Sequence, residues 1–193
     1  MIDLILNTRS IGRLSDSQLF ELCQDNSQLK IERNQNGELL IMSPTGGLTG
    51  KLNAEIIYQI ETWNRKYKRG VVFDSSTGFL LENGAMRSPD MSWLLKSKWD
   101  LLTEEEKQKF PKVCPDFIIE LRSSSDNLAQ LKLKLEEWIL NGATEAWLID
   151  PIENKVYIYK PNSATQIIDT FKYVIQGTGI LEGLAFELEE FIS

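Results

Sequence analysis

Asp90, Glu120, Arg122 and Lys134 are the residues of this sequence whose types and order could do chemistry. Asp90 follows Pro89 at the mouth of one apolar run. Glu120 lies inside a later run, Arg122 is two positions on, and Lys134 falls in the segment after that. Two carboxylates held on rigid strands offer the oxygen ligands of a hard divalent ion, which can polarise a phosphodiester and lower the pKa of a bound water. A cation beside them would steady the charge that develops as the bond breaks.

What the sequence lacks narrows the chemistry further. It contains no histidine and two cysteines, Cys23 and Cys114. Ser-His-Asp and Cys-His catalysis and Cys/His zinc sites are excluded, so acids and bases must be carboxylates, lysines, tyrosines or metal-bound water. Cys23 ends a predicted helix and Cys114 precedes a predicted strand; both read as small buried hydrophobes in a reducing compartment, without a disulfide framework. The net charge of -7 argues against holding nucleic acid by bulk electrostatics. Two local clusters, Arg65, Lys66, Lys68 and Arg69, and Lys107, Lys109 and Lys112, read as solvated faces, with phosphate contact as the alternative.

Over 193 residues, 42% of them hydrophobic, the composition supports one domain, residues 1–193, and no linker tract divides it. The run Met1–Asn7 has an acidic residue where a leader would be basic, and no stretch approaches the ~20 apolar residues of a membrane span. A cytoplasmic protein with no membrane association is the expectation.

The elements that must position the four residues are legible in outline. Ser15-Asp16-Ser17-Gln18 is a capping box opening a short helix through Leu22. Leu29–Glu32 and Glu38–Met42 flank the turn Asn34–Gly37 as a hairpin. Leu52, Ile56, Ile60, Trp63 and Tyr67 recur at helical spacing over 48–67, with Gly70 as the stop. Val71–Asp74, Gly78–Leu81 and Met91–Leu95 read as a meander of strands. Asp116–Arg122 is a strand with Phe117, Ile119 and Leu121 on one face and Asp116, Ile118, Glu120 and Arg122 on the other. Asp126 caps a helix through Leu140, and Ala146–Asp150 and Val156–Tyr159 follow as strands. The first of these is a parallel neighbour of 116–122 and the second its hairpin partner.

At ~100° per residue, Lys134 lies roughly 60° from Leu131 and 40° from Trp138, at the border of the stripe that packs on the sheet. It could reach over the sheet edge or simply snorkel. Glu120 and Arg122 could likewise neutralise each other, but a strand this apolar favours burial, where charges are paired or bound to metal. Asp116 shares the Glu120 face yet lies roughly 13 Å along the strand, too far to share an ion with it.

The ordered series Ser43-Pro44-Thr45-Gly46-Gly47, Arg87-Ser88-Pro89-Asp90, Pro115–Asp126, Lys134–Trp138 and Gly142-Ala143 with Ala146–Pro151 resembles a family of restriction-endonuclease-like proteins of the PD-(D/E)XK superfamily, over about residues 15–160. The resemblance implies an α/β fold with a central mixed sheet flanked by helices, and Mg²⁺, with Mn²⁺ as a substitute, at Asp90 and Glu120. It also implies a DNA endonuclease in which Lys134, helped by Arg122, positions the attacking water. Arg122 stands where the superfamily has a lysine, and an arginine cannot act as a base near neutral pH. Glu55 could match the extra acidic residue of the first long helix, with Glu32 and Glu38 competing. A homodimer would suit duplex cleavage. The alternative is a nuclease fold kept as a non-catalytic interaction module, and no Gly-rich phosphate loop supports a small-molecule phosphohydrolase.

Overall fold

The computed structural model describes residues 4–8 and 10–192; Met1–Asp3 of the N-terminal run and Ser193 lie outside them. In chain order the first half runs β1 (Leu4–Leu6), α1 (Asp16–Asp25), β2 (Lys30–Arg33), β3 (Leu39–Met42), α2 (Gly47–Tyr67), β4 (Gly70–Asp74), β5 (Phe79–Leu80), β6 (Met86–Arg87) and β7 (Met91–Leu95). The second half continues α3 (Lys96–Trp99), α4 (Glu104–Gln108), β8 (Phe117–Leu121), α5 (Leu128–Leu140), β9 (Glu145–Asp150), β10 (Lys155–Tyr159), β11 (Gln166–Ile168), β12 (Val174–Gln176) and β13 (Ala185–Glu187).

A six-stranded sheet, ordered β11-β10-β9-β8-β7-β4, carries the core. Only β8 and β9 are parallel, joined through α5 as the strand-helix-strand pattern requires. The alternation along β8 decides what each face meets. Phe117, Ile119 and Leu121 pack with Leu52, Ile56 and Ile60 of α2 and with the C-terminal Phe186 and Phe191. Ile118 packs with Leu135 and Trp138 of α5. Glu120 therefore points towards α5, with only 3% of its surface exposed.

A second sheet, β1-β3-β2-β6-β5, corrects the predicted meander. β4 pairs directly with β7, while the run at 78–81 leaves that sheet and pairs with β6, an element not anticipated from the sequence. Strands of two residues are too short to show alternation. Arg33, 1% exposed, fastens this sheet: it donates to the carbonyls of Leu14 and Gly84 and pairs with Asp16 at 2.6 Å.

The capping box at Ser15 forms as read, but α1 runs on to Asp25, so Cys23 lies within it. Cys23 and Cys114 are half-buried and free, not fully buried. Burial pushes the Cys114 thiol up to about 12, which makes it inert. Asn127, not Asp126, caps α5, because the Asp126 carboxylate is taken by the Ser123 N–H at 2.7 Å. Among the described residues no helix is long and apolar enough to cross a membrane.

Gly70 is not the helix stop. Lys68, at φ 54°, adopts the left-handed cap, and Gly70 opens β4 under Trp93. A Cβ there would run into the Trp93 indole and the Leu94 carbonyl. Gly70→Ala is expected to lower stability by about 1–3 kcal/mol as overpacking, whereas Gly46→Ala, with open space around it, should change it far less; urea denaturation measures both.

Candidate active site

The β7–β8 register brings the two carboxylates together. Met91 pairs with Ile119, so one further step along both strands sets Asp90 opposite Glu120. β7 has ended there, and the Asp90 carboxylate replaces its backbone: Oδ2 accepts the Leu121 N–H at 2.9 Å. Both residues line an open cleft of about 1900 Å³, between the end of the main sheet, α5 and the loop that leads into α2.

Lys134 reaches over the sheet as its place on the helix suggested. Its Nζ lies 3.0 Å from Glu120 Oε1 and 3.1 Å from Glu32 Oε1, and its side chain is 16% exposed. The Trp138 indole N–H, one turn along α5, donates to the same Glu120 oxygen at 3.1 Å. Both contacts fall on Oε1, so Oε2 is engaged by neither.

Glu32 is the residue the sequence left unresolved, and the structure makes it the hub. In the four-residue β2, Ile31 and Arg33 face the α1 layer, while Glu32 faces the cleft. Its carboxylate takes Lys134, Arg87 Nη1 at 3.0 Å and the Ser88 N–H at 3.0 Å. Arg87 continues to Glu137 at 2.7 Å, which also accepts from Asn83 at 2.9 Å. A lone glutamate in a short hairpin strand reads as surface, so only the β2–β6 pairing, Arg33 with Met86, could have revealed this partnership. Glu38 accepts from Asn34 in its own turn, and Glu55 from Gln59 on its own helix. Neither joins the cluster.

Arg122 is not brought beside Glu120 either. It lies one residue past β8 and pairs with the buried Asp150 at 2.7 Å, at the margin of the cleft. Asp116, at the far end of the strand, holds the Leu95 N–H at 2.9 Å and Lys98 at 2.8 Å. The cations of the region 107–112 behave as a solvated face, Lys107 pairing with Glu104 and Lys109 with Glu105.

The titration of the cluster follows from these contacts. Burial drives Glu32 up, but Lys134, Arg87, Lys30 and the Ser88 N–H outweigh it and hold the carboxyl down at about 2. Burial also drives Glu120 up; Lys134 opposes it, while Asp90 and Glu32 add to it, and the carboxyl is pushed up to about 6. Burial would strip the proton from Lys134, yet Glu120 and Glu32 raise it above its ordinary value. Lys134 is therefore a fixed ammonium, a hydrogen-bond donor and not a base.

Four carboxylates, Glu32, Asp90, Glu120 and Glu137, thus lie among three cations, Lys134, Arg87 and Lys30. The negative charge left in excess, on oxygen atoms alone, fits a hard divalent cation.

A central mixed sheet with a strand-helix-strand crossover through α5 defines the class of fold. This chain is similar to the structure of a putative nuclease belonging to DUF820 from Anabaena variabilis ATCC 29413, with a TM-score of 0.76 and 17% identity over 92% of this chain and 97% of that one. The fold is that of the restriction-endonuclease-like proteins. A family model described as Uma2, putative restriction endonuclease, matches residues 16–189, and the chain belongs to that family. No curated protein matches it.

The folded-state pKa of Glu120 lies above its unfolded value of 4.5, so its contribution to stability is whole below pH 4.5 and lost as pH rises through about 6. Glu120→Gln, a mimic of the protonated acid, should therefore be more stable than the parent by about 2 kcal/mol at about pH 8. The difference should vanish at about pH 4. Urea denaturation at the two pH values checks this, and a less stable variant at the higher one would contradict the burial cost assigned to Glu120.

Proposed function

We propose that the protein is a metal-dependent endonuclease that hydrolyses phosphodiester bonds of DNA with water as the nucleophile. The observation that carries this is the pair Asp90 and Glu120 at adjoining strand ends in one open cleft, with the ammonium of Lys134 locked beside Glu120. Asp90 and Glu120 are the residues that would hold Mg²⁺ or Mn²⁺. When bound, such an ion lowers the pKa of a water and polarises the phosphoryl oxygens. The chain's own part is electrostatic. Lys134, kept charged by Glu32 and Glu120, presents a cation to the negative charge that builds on the phosphorus oxygens. Arg122, at the cleft margin, is held by Asp150 and takes no part in activating water.

A second reading, a nuclease fold kept as a non-catalytic interaction module, is favoured by the pairing of Arg122 with Asp150 in place of Glu120, and by the net charge of -7. Supercoiled plasmid incubated with Mg²⁺ or Mn²⁺ separates the two. Metal-dependent cleavage is expected, falling on the order of 10²–10³-fold in Asp90→Asn, Glu120→Gln and Lys134→Met. A two-fold dimer would linearise plasmid directly, whereas a monomer would first accumulate nicked circles. Cleavage that survives Glu120→Gln would discard the site, and no cleavage of any DNA with either metal would favour the second reading.

A further inference from the structure

Asn53 carries a buried polar atom that no protein contact explains. It stands in the second turn of α2, and its Oδ1 is enclosed and accepts no hydrogen bond. Leaving such an atom unmade costs about 1–3 kcal/mol, and nearly all buried oxygens in folded proteins have a partner. Among the described residues, Ser92 Oγ and Arg122 Nε are the other side-chain atoms in this condition. Ser92 is sealed within β7, and Arg122 is a cation with Asp150 beside it. Asn53, in contrast, lines the main cleft together with Asp90 and Glu120, and also a side recess of about 390 Å³ whose wall again includes Asp90.

We propose that Asn53 Oδ1 is a third side-chain oxygen for the divalent cation of Asp90 and Glu120. The proposal rests on the function given above and extends it. Among the described residues no third His, Cys, Asp or Glu side chain joins Asp90 and Glu120 in a group arranged for a metal ion, and Glu32 is held by Lys134 and Arg87. Hard cations accept amide oxygens alongside carboxylates. An amide oxygen adds a ligand without adding charge to a cluster that already carries more carboxylates than cations.

The helix supplies the geometry. Glu55, the acidic residue of α2, bonds Gln59, which in turn reaches the Glu187 carbonyl near the C-terminus. Two positions on a helix are roughly 200° apart, which sets Asn53 on the side away from Glu55. Leu52 and Ile56, 3% and 0% exposed, anchor that turn in the core, so Asn53 is held on a rigid element.

Calorimetric titration of the full chain with MnCl₂ tests this, with melting in EDTA as the control for folding. Wild type should bind Mn²⁺, Asn53→Ala about 10-fold or more weakly, and Asn53→Asp at least as tightly as wild type, because it keeps the oxygen and adds charge. If Asn53→Ala does not fold, Asn53→Ser, whose oxygen falls short, is read in its place. Wild-type affinity in Asn53→Ala, or equal weakening in the Ala and Asp variants, overturns the role of Asn53 and leaves Asp90 and Glu120 standing. A wild-type protein that binds no Mn²⁺, in contrast, overturns the proposed function itself.

Discussion

A carboxylate that is 2% exposed keeps its charge only if cations are held against it, and Glu32 holds two. Lys134 comes from α5, on the main sheet, and Arg87 from β6, in the second sheet. The ion pairs therefore join the two sheets across the floor of the cleft. Such a cluster is a poor device for stability alone, since packed apolar residues in its place would often do as well or better. Its physical effect is to fix the charge and position of a lysine that would otherwise snorkel to solvent or lose its proton.

That constraint divides the two oxygens of Glu120. Oε1 accepts from Lys134 and from the Trp138 indole, which orients the carboxylate. Oε2 is left out of both contacts. Asp90 is used in the same divided way, with Oδ2 spent on the Leu121 N–H. Each carboxylate is thus anchored through one oxygen on a rigid strand end while the site as a whole keeps an excess of negative charge. Burial is the main cause of the raised pKa of Glu120, and Asp90 and Glu32 add to it by opposing its ionisation.

Much of this was legible in residues 116–140. The two-faced pattern of β8, the crossover through α5 and the position of Lys134 at the edge of the apolar stripe all follow from periodicity, and the structure places them so. Other features depend on long-range pairing that a single sequence does not display. Glu32 belongs to the site because β6 lies beside β2, and β6 is two residues long. Arg122 shares the Glu120 face by counting, but it lies beyond the last strand residue, where Asp150 competes for it. Asp126 and Gly70 show the local version of the same limit. Each has a residue type suited to the role assigned to it, and in each case a neighbour, Asn127 or Lys68, takes that role because a nearer contact claims the first.

The most direct test is a crystal soaked in Mn²⁺ and measured for anomalous scattering. The account predicts a peak between the Asp90 carboxylate and Glu120 Oε2, with Lys134 still on Oε1 and Glu32 still bound to Lys134 and Arg87. A peak elsewhere, or a Glu32 carboxylate released from its cations to ligate the metal, would contradict it.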